Sequence, residues 1–266
     1  MRSSLQLYSI LSGLAAILLG IGIALSGFSG EVQEWIFLCA LALWHGIYAI
    51  WFWKGKELIA FARITVVGRA FSGISYWLVL GLLPDAEGSL MILFRTYLTV
   101  QGSIDLGSAA ITAFSVLQKK EADGKDRSLS LEEKNRFVFA IYMTLLSVWI
   151  LADSFSFLKS FHLPPTSFSG WTALRFGPIH ILAAQILVLA VYNFTAVRFR
   201  LTPLIEAGMR GGMVTCIFFV VLVLFGVLHP ITLLLPGADL ISVAVILFAR
   251  LRQRQLNVPD RAQGRR

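Results

Sequence analysis

Four charged residues stand out because they lie inside long apolar stretches of the chain. Asp105 and Asp239 begin the segments DLGSAAITAF and DLISVAVILF, which share Asp, Leu, Ser, Ala and Phe at matching positions. Arg69 and Arg210 lie in the preceding apolar stretches, next to or two residues after a glycine. A guanidinium can satisfy a buried carboxylate through charge-assisted hydrogen bonds. The sequence therefore predicts two equivalent buried ion pairs, Arg69 with Asp105 and Arg210 with Asp239.

Three roles remain open for these residues. The pairs could clamp neighbouring helices together, because polar contacts commonly join transmembrane helices. The arginines could instead anchor at the membrane interface, with the aspartates bonded to hydroxyl groups or protonated. The third role is a proton-coupled or substrate-coupled site, because ionisable residues at mid-membrane are costly and often functional.

A second polar set is predicted nearer the outer face. Arg95 and Gln101 lie in the fourth apolar stretch, and Asp153 lies in the fifth. Arg95 and Asp153 have comparable predicted depths, so they could meet where the two halves of the chain join. The favoured interpretation of this set is one more interhelical bond, and the alternative is a site for a small anionic or polar ligand.

Other chemistry has little support in the sequence. His45 lies in mid-stretch and three more histidines lie near the outer face, but no HxxxH or HExxH pattern occurs. Metal sites need closely spaced ligands, so these histidines are predicted to be solvated or interfacial. No GxSxG elbow or glycine-rich phosphate loop is present either. We therefore predict no catalytic residue, no metal and no cofactor, and we expect the protein not to be an enzyme.

The elements that position these residues follow from composition. The 266 residues are 57% hydrophobic and only 14% charged, whereas soluble domains carry roughly 25% charged residues. A helix needs about 20 mainly apolar residues to cross the hydrocarbon core, and the long runs lack the alternation of a barrel strand. The prediction is an all-α, polytopic transmembrane bundle. Its eight spans are placed at about 5–27, 33–54, 61–83, 89–117, 137–159, 178–197, 204–228 and 231–250.

Charge in the connections predicts the orientation. Most of the 23 basic residues fall on the side of the two termini, whereas the opposite connections are short and weakly acidic. The positive-inside rule then makes both termini cytoplasmic in a cell or inner membrane. The net charge of +8 needs no nucleic acid to explain it, because basic loops face an anionic leaflet.

An internal duplication organises the chain. The hydrophilic segment 118–136 separates one group of four spans, 1–117, from a second, 137–252, and a basic tail covers 253–266. Matching features recur in the same order in both groups, including Tyr48 and Tyr192 near the ends of the second and sixth spans. Four spans per unit predict two parallel repeats about an axis along the membrane normal.

Each half resembles the small four-helix bacterial membrane proteins called DoxX-like. The resemblance rests on a last helix with a Gly/Asp-Leu pattern, over 102–114 and 237–248, and on an arginine early in the third helix. It implies a four-helix fold for each half and no particular reaction. The fused, duplicated form departs from the usual single unit.

Three functions are weighed from these features. The first is a non-enzymatic membrane protein that binds a partner subunit, a second copy of itself, a lipid or a small solute. The second is a secondary transporter, although spans unbroken by Pro or Gly fit that class poorly. The third is a membrane-embedded enzyme acting on a lipid or quinone, against which the scattered histidines argue.

Overall fold

The computed structural model describes residues 2–25, 32–82, 89–116, 128–162 and 178–256. Within these ranges every regular element is helical, as the sequence predicts. The long helices of the first half are α1 (Arg2–Leu25), α2 (Val32–Gly55), α3 (Ile59–Leu82) and α4 (Ser89–Val116). Those of the second half are α5 (Leu131–Ala152), α7 (Pro178–Arg198), α8 (Thr202–Leu224) and α9 (Leu234–Leu256), with a short α6 (Ser154–Ser160) after α5.

Six of these helices are long and apolar enough to cross a membrane, and they cover 2–25, 59–81, 131–152, 179–198, 202–224 and 230–252. Large apolar side chains cover their outside: Leu18, Leu145 and Leu224 are 65%, 65% and 79% exposed. A soluble protein rarely presents so much continuous apolar surface to water. A helix satisfies its own backbone groups, so it is the form that such a sequence can take in lipid.

Two helix boundaries differ from the sequence prediction in the second half. The predicted linker 118–136 overlaps α5, because Ser130 and Glu133 form a capping box that starts the helix at Leu131. The predicted fifth span, 137–159, is broken at Asp153, whose backbone leaves helical geometry and whose side chain caps α6.

The connection before α9 is longer than the predicted His229-Pro230 turn. Helix α8 ends at Leu224, and Gly226 follows with a φ of +68°. A glycine in this left-handed conformation commonly ends a helix. A 3₁₀ turn over Pro230–Leu233 then leads into α9.

The helices pack in corresponding pairs in the two halves. In the first half α1 packs against α2, α3 against α4, and α1 against α4. In the second half α5 packs against α7, α8 against α9, and α5 against α9. The halves meet where α3 packs against α7 and α2 against α8.

An aromatic cluster fills this junction around Tyr192 of α7. Its ring lies 6.0 Å from that of Tyr48, 6.1 Å from that of Phe52 and 5.3 Å from that of Phe61, centroid to centroid. Large rings at these separations pack in tilted or edge-to-face pairs and bury much apolar area. The cluster joins α7 to the helices of the first half, and the polar groups described next surround it.

Candidate functional site

The aspartate of the first half is enclosed in hydrogen bonds. Asp105 on α4 is 1% exposed. The hydroxyl of Tyr8 on α1 donates to its Oδ1 over 2.5 Å, and the Gln101 side-chain amide donates to the same oxygen over 3.1 Å. Hydrogen bonds to an ionised acceptor are the strong ones in a low-dielectric interior. Asp105 therefore joins α1 to α4 within the bundle.

Arg69 approaches this carboxylate without bonding to it. Its Nε and Nη2 donate to the backbone carbonyl and hydroxyl of Thr65, one turn earlier on α3. Its Cζ lies 5.0 Å from the centre of the Tyr8 ring, and Tyr8 in turn bonds Asp105. No salt bridge joins Arg69 to Asp105 in the ranges that the structure describes. The predicted pair is thus replaced by a contact through Tyr8, which α1 inserts between the two charges.

His45 is the centre of a second buried group, contrary to the solvated or interfacial position predicted for it. It is fully buried on α2. The Tyr97 hydroxyl of α4 bonds its Nδ1, which also lies 2.9 Å from the Leu41 carbonyl oxygen, and the Tyr76 hydroxyl of α3 lies 3.1 Å from its Nε2. The sequence prediction overlooked the tyrosines, which supply buried partners to both ring nitrogens. The imidazole therefore links three helices.

Polar contacts also cross from the first half to the second. The Tyr48 hydroxyl donates to the backbone carbonyl of Gln185 over 2.7 Å. The side chain of Gln185 exchanges hydrogen bonds with the Ser72 hydroxyl at 3.2–3.3 Å. These buried groups use one another as partners, which is the arrangement of a helix clamp.

The aspartate of the second half has different surroundings. Asp239 on α9 is half-buried, and no hydrogen bond to its carboxylate is formed within the described residues. It packs against Gly212 of α8, where an added Cβ would lie 3.0 Å from Oδ1. One turn away, a Cβ at Gly208 would lie 2.9 Å from the guanidinium of Arg136. The two glycines therefore give room to a carboxylate and a guanidinium on one face of α8.

The arginine near Asp239 is Arg136 and not the predicted Arg210. Arg210 is exposed on α8. It lies two residues from both Gly208 and Gly212, and a helix turns about 200° over two residues, so it points away from them. The sequence predicts Arg136 in the linker, but the capping box places it inside the first turns of α5, where it is 1% exposed. The buried charges of this half thus come from α5 and α9.

A cavity of about 290 Å³ lies beside these charges. Its volume approaches the lower end of ligand pockets, roughly 300–1,000 Å³. Side chains from α2, α5, α6, α7, α8 and α9 form its wall, and most of them are apolar. The apolar part of the wall includes Leu43, Trp44, Ile47, Phe139, Met143, Leu146, Ile150, Ile186, Leu189, Phe218 and Phe219.

Three polar residues of this wall lie toward one end. Arg136, Asn193 and Trp51 each lie about four to six residues from an end of their helices, which is roughly 6–9 Å along the axis. Three of their atoms, Arg136 Nε, Asn193 Oδ1 and Trp51 Nε1, are buried without a hydrogen-bond partner in the described part of the chain. These atoms lie behind the surface of the wall, whereas Asp239 is half-buried and is the more accessible of the two charged residues that line the cavity.

Two histidines lie at the opposite end of the cavity. His162 follows α6 and His229 precedes the 3₁₀ turn, and their ring centroids are 4.7 Å apart. Both line the cavity and both are exposed. Along α5 the wall extends from Arg136 to Ile150, about 21 Å at 1.5 Å per residue. The cavity is thus long, with Arg136 toward one end, a largely apolar middle and two exposed histidines at the other end.

The predicted outer ligand set is not brought together. Gln101 bonds Asp105, while Arg95 is half-buried elsewhere on α4. Asp153 is exposed and accepts a hydrogen bond from the Ser156 backbone N–H at the start of α6. Helix α4 packs mainly against α3 and α1, and α5 mainly against α7 and α9, so Arg95 and Asp153 lie on helices that do not pack closely together.

Comparison of this chain with family models, with curated proteins and with solved structures gave no match.

Proposed function

We propose that this chain is an eight-span membrane protein that binds a single-chain amphiphile in the cavity beside Arg136 and Asp239. Helices α2 and α4 would be two further spans beside the six strongly apolar helices. They have 24 and 28 residues, which exceeds the roughly 20 that a span needs. Helix α4 carries Gln101 and Asp105, but both are buried against neighbours, which supports its placement in lipid.

Both termini would be cytoplasmic, and the halves would be parallel repeats. An even number of spans returns the chain to one side, and the basic connections favour the cytoplasm. The matching helix pairs support a duplication: α1 with α2 corresponds to α5 with α7, and α3 with α4 to α8 with α9. The junction also fits a two-fold axis, because α3 with α7 corresponds to α2 with α8. We propose on the same grounds that each half is related to the DoxX-like proteins.

The shape and lining of the cavity carry the functional proposal. A long apolar wall suits an alkyl or isoprenoid chain, whose transfer from water is favourable by about 0.8 kcal/mol per CH₂. The Asp239 carboxylate lines the cavity and accepts no hydrogen bond from the described residues, so it suits a polar head that donates one. Binding sites of this kind combine apolar walls with a few placed polar groups. The protein would act as a non-enzymatic binder, with the bilayer as its surroundings.

Photo-cross-linking in lipid nanodiscs tests this proposal. A long-chain alcohol with a diazirine near the end of its chain should label cavity residues such as Met143 and Phe218, and excess unlabelled alcohol should suppress the labelling. Leu146→Trp should fill the cavity and abolish this saturable labelling. Leu145→Trp is the matched control, because Leu145 is the next residue on α5 and is 65% exposed.

Two results would count against binding in the cavity. Labelling confined to the exposed outer face of the helices would exclude it. So would equal labelling of the Leu146→Trp and Leu145→Trp proteins. Movement of the same alcohol between the leaflets of proteoliposomes, if it depended on the protein, would instead assign the chain to the transporters.

A further inference from the structure

We infer that the cavity selects an amphiphile with an uncharged, hydroxyl-bearing head over one with a charged head. This inference rests on the proposed function and adds the chemical class of the ligand. It depends on the two charged residues that line the cavity, Arg136 of α5 and Asp239 of α9.

The formal charges of the two charged residues that line the cavity cancel. Arg136 contributes a cation and Asp239 an anion, and both line the same cavity. They face the small residues Gly208 and Gly212, one turn apart on α8, and no salt bridge joins them within the described residues. A charged head would leave one uncompensated charge in a region of low dielectric, which is costly. An uncharged head leaves the summed charge of Arg136 and Asp239 at zero.

The accessible hydrogen-bonding group of the cavity requires a head that donates. Asp239 lines the cavity, is half-buried and accepts no hydrogen bond from the described chain. Arg136 Nε, Trp51 Nε1 and Asn193 Oδ1 also have no partner in the described chain, but these atoms are buried behind the surface of the wall. A hydroxyl group donates one hydrogen bond, so it can serve the carboxylate.

The protein positions these groups firmly. Arg136 Nη2 donates to the Ile205 carbonyl over 3.3 Å, and the guanidinium lies 5.5 Å from the Phe139 ring. Arg136 and Asn193 are each 1% exposed, and Trp51 is fully buried. The Arg136 cation is therefore held behind the wall of the cavity. The head would lie beside Asp239, and the chain would extend along the apolar wall.

Competition with matched hexadecyl and palmitoyl probes tests the inference in nanodiscs. The photoreactive alcohol is bound in the presence of one of four competitors: monopalmitoylglycerol, methyl palmitate, hexadecyl phosphate or hexadecyltrimethylammonium. Monopalmitoylglycerol should compete at least about tenfold better than the two charged probes, which corresponds to about 1.4 kcal/mol. Monopalmitoylglycerol should also compete better than methyl palmitate, because the methyl ester head accepts hydrogen bonds but donates none.

Charge-changing variants provide the sharper comparison. Asp239→Asn should leave the site cationic and shift the preference about tenfold toward hexadecyl phosphate, equivalent to about 1.4 kcal/mol. Arg136→Gln should shift it toward the cationic probe. If Arg136→Gln does not fold, the Asp239→Asn result decides alone, because Asp239 accepts no hydrogen bond from the described chain.

The failures of the two proposals can be distinguished. Equal competition by all four probes, or an anion preference in the unsubstituted protein, would overturn the inference and leave amphiphile binding intact. Absence of competition by any probe, together with absence of saturable labelling, would overturn both.

Discussion

The two halves carry a similar Asp-Leu segment in their last helix, yet the two aspartates have different surroundings. Asp105 accepts hydrogen bonds from Tyr8 and Gln101 and is 1% exposed. Asp239 faces a cavity beside Gly212 and accepts no hydrogen bond within the described residues. The bond from Tyr8 joins α1 to α4 at Asp105, although Gln101 Oε1 is buried there without a hydrogen-bond partner in the described residues. A carboxylate that lines a cavity without a hydrogen bond is suited to an external ligand.

The difference indicates how one fold can serve two purposes. In the first half, tyrosines occupy the space between the charged groups: Tyr8 lies between Arg69 and Asp105, and Tyr76 and Tyr97 enclose His45. In the second half, glycines face the charged groups, and a cavity remains beside them. We infer that the polar network of the first half supplies stability, and that the second half together with α2 supplies the site.

The largest effect on stability is expected from His45→Leu. This change would leave the buried hydroxyls of Tyr76 and Tyr97 without their partner, at about 1–3 kcal/mol for each unsatisfied group. The free energy of unfolding, measured by titration from a mild detergent into dodecyl sulfate, should fall by about 2–6 kcal/mol. Probe binding by the folded fraction should not change. An unaltered unfolding curve would mean that the imidazole does not link the helices.

Gly208→Ala should weaken both stability and binding. A methyl group at this position would overlap the Arg136 guanidinium and force it to move. Overpacking of this kind costs about 1–3 kcal/mol, and displacement of Arg136 should reduce affinity for the neutral probe about tenfold. Gly107→Ala is the control, because a Cβ there meets nothing within 4 Å. That control should raise helix stability by up to about 1 kcal/mol. If Gly208→Ala binds the neutral probe with unchanged affinity, Arg136 does not contribute to the site.

A smaller effect is expected from Tyr97→Phe. It removes one hydrogen bond to His45 but leaves the bond to Tyr76, so a loss of about 1–2 kcal/mol is expected by the same unfolding assay. Thr99→Val is the matched control on α4, because the Thr99 hydroxyl donates to the Arg95 carbonyl one turn earlier on the same helix. Equal losses in the two variants would show that the contact between Tyr97 and His45 adds nothing.

The smallest effect is expected at the end of the second half. Arg250 forms ion pairs with Glu132 at 3.1 Å and with Glu206 at 3.6 Å, and its side chain is 29% exposed. Partly solvated pairs contribute about 0–1 kcal/mol. Arg250→Gln should therefore change the unfolding free energy by no more than about 1 kcal/mol, and less at high salt. A loss as large as that of His45→Leu would contradict the assignment of stability to the first half.

The sequence predicted the helical class and most helix limits because apolar length is a strong local signal. The ends of α5 and α8 differed because they depend on a capping box at Ser130 and on the conformation of Gly226. These local signals are present in the sequence, but the apolar pattern continues across them. The long apolar runs therefore predict where each helix lies more accurately than they predict the residues at which it begins and ends.

The candidate site was harder to predict than the fold. Asp105 and Asp239 could be identified as buried polar residues, and Gly208 and Gly212 as positions of close packing. Their partners depend on which helices meet and on the rotation of each helix. Arg210 is two residues from each of these glycines, so a turn of about 200° sends it to the opposite face. Arg136 is distant in sequence, and only the packing of α5 brings it to the cavity.

The most direct test compares Asp105→Asn with Asp239→Asn, each measured for unfolding free energy and for affinity toward monopalmitoylglycerol and hexadecyl phosphate. The predicted result is a loss of stability with unchanged binding for Asp105→Asn. For Asp239→Asn it is nearly unchanged stability and a preference shifted toward the anionic probe. The same loss of stability in both variants, with no change in probe preference in either, would contradict the division of roles between the halves.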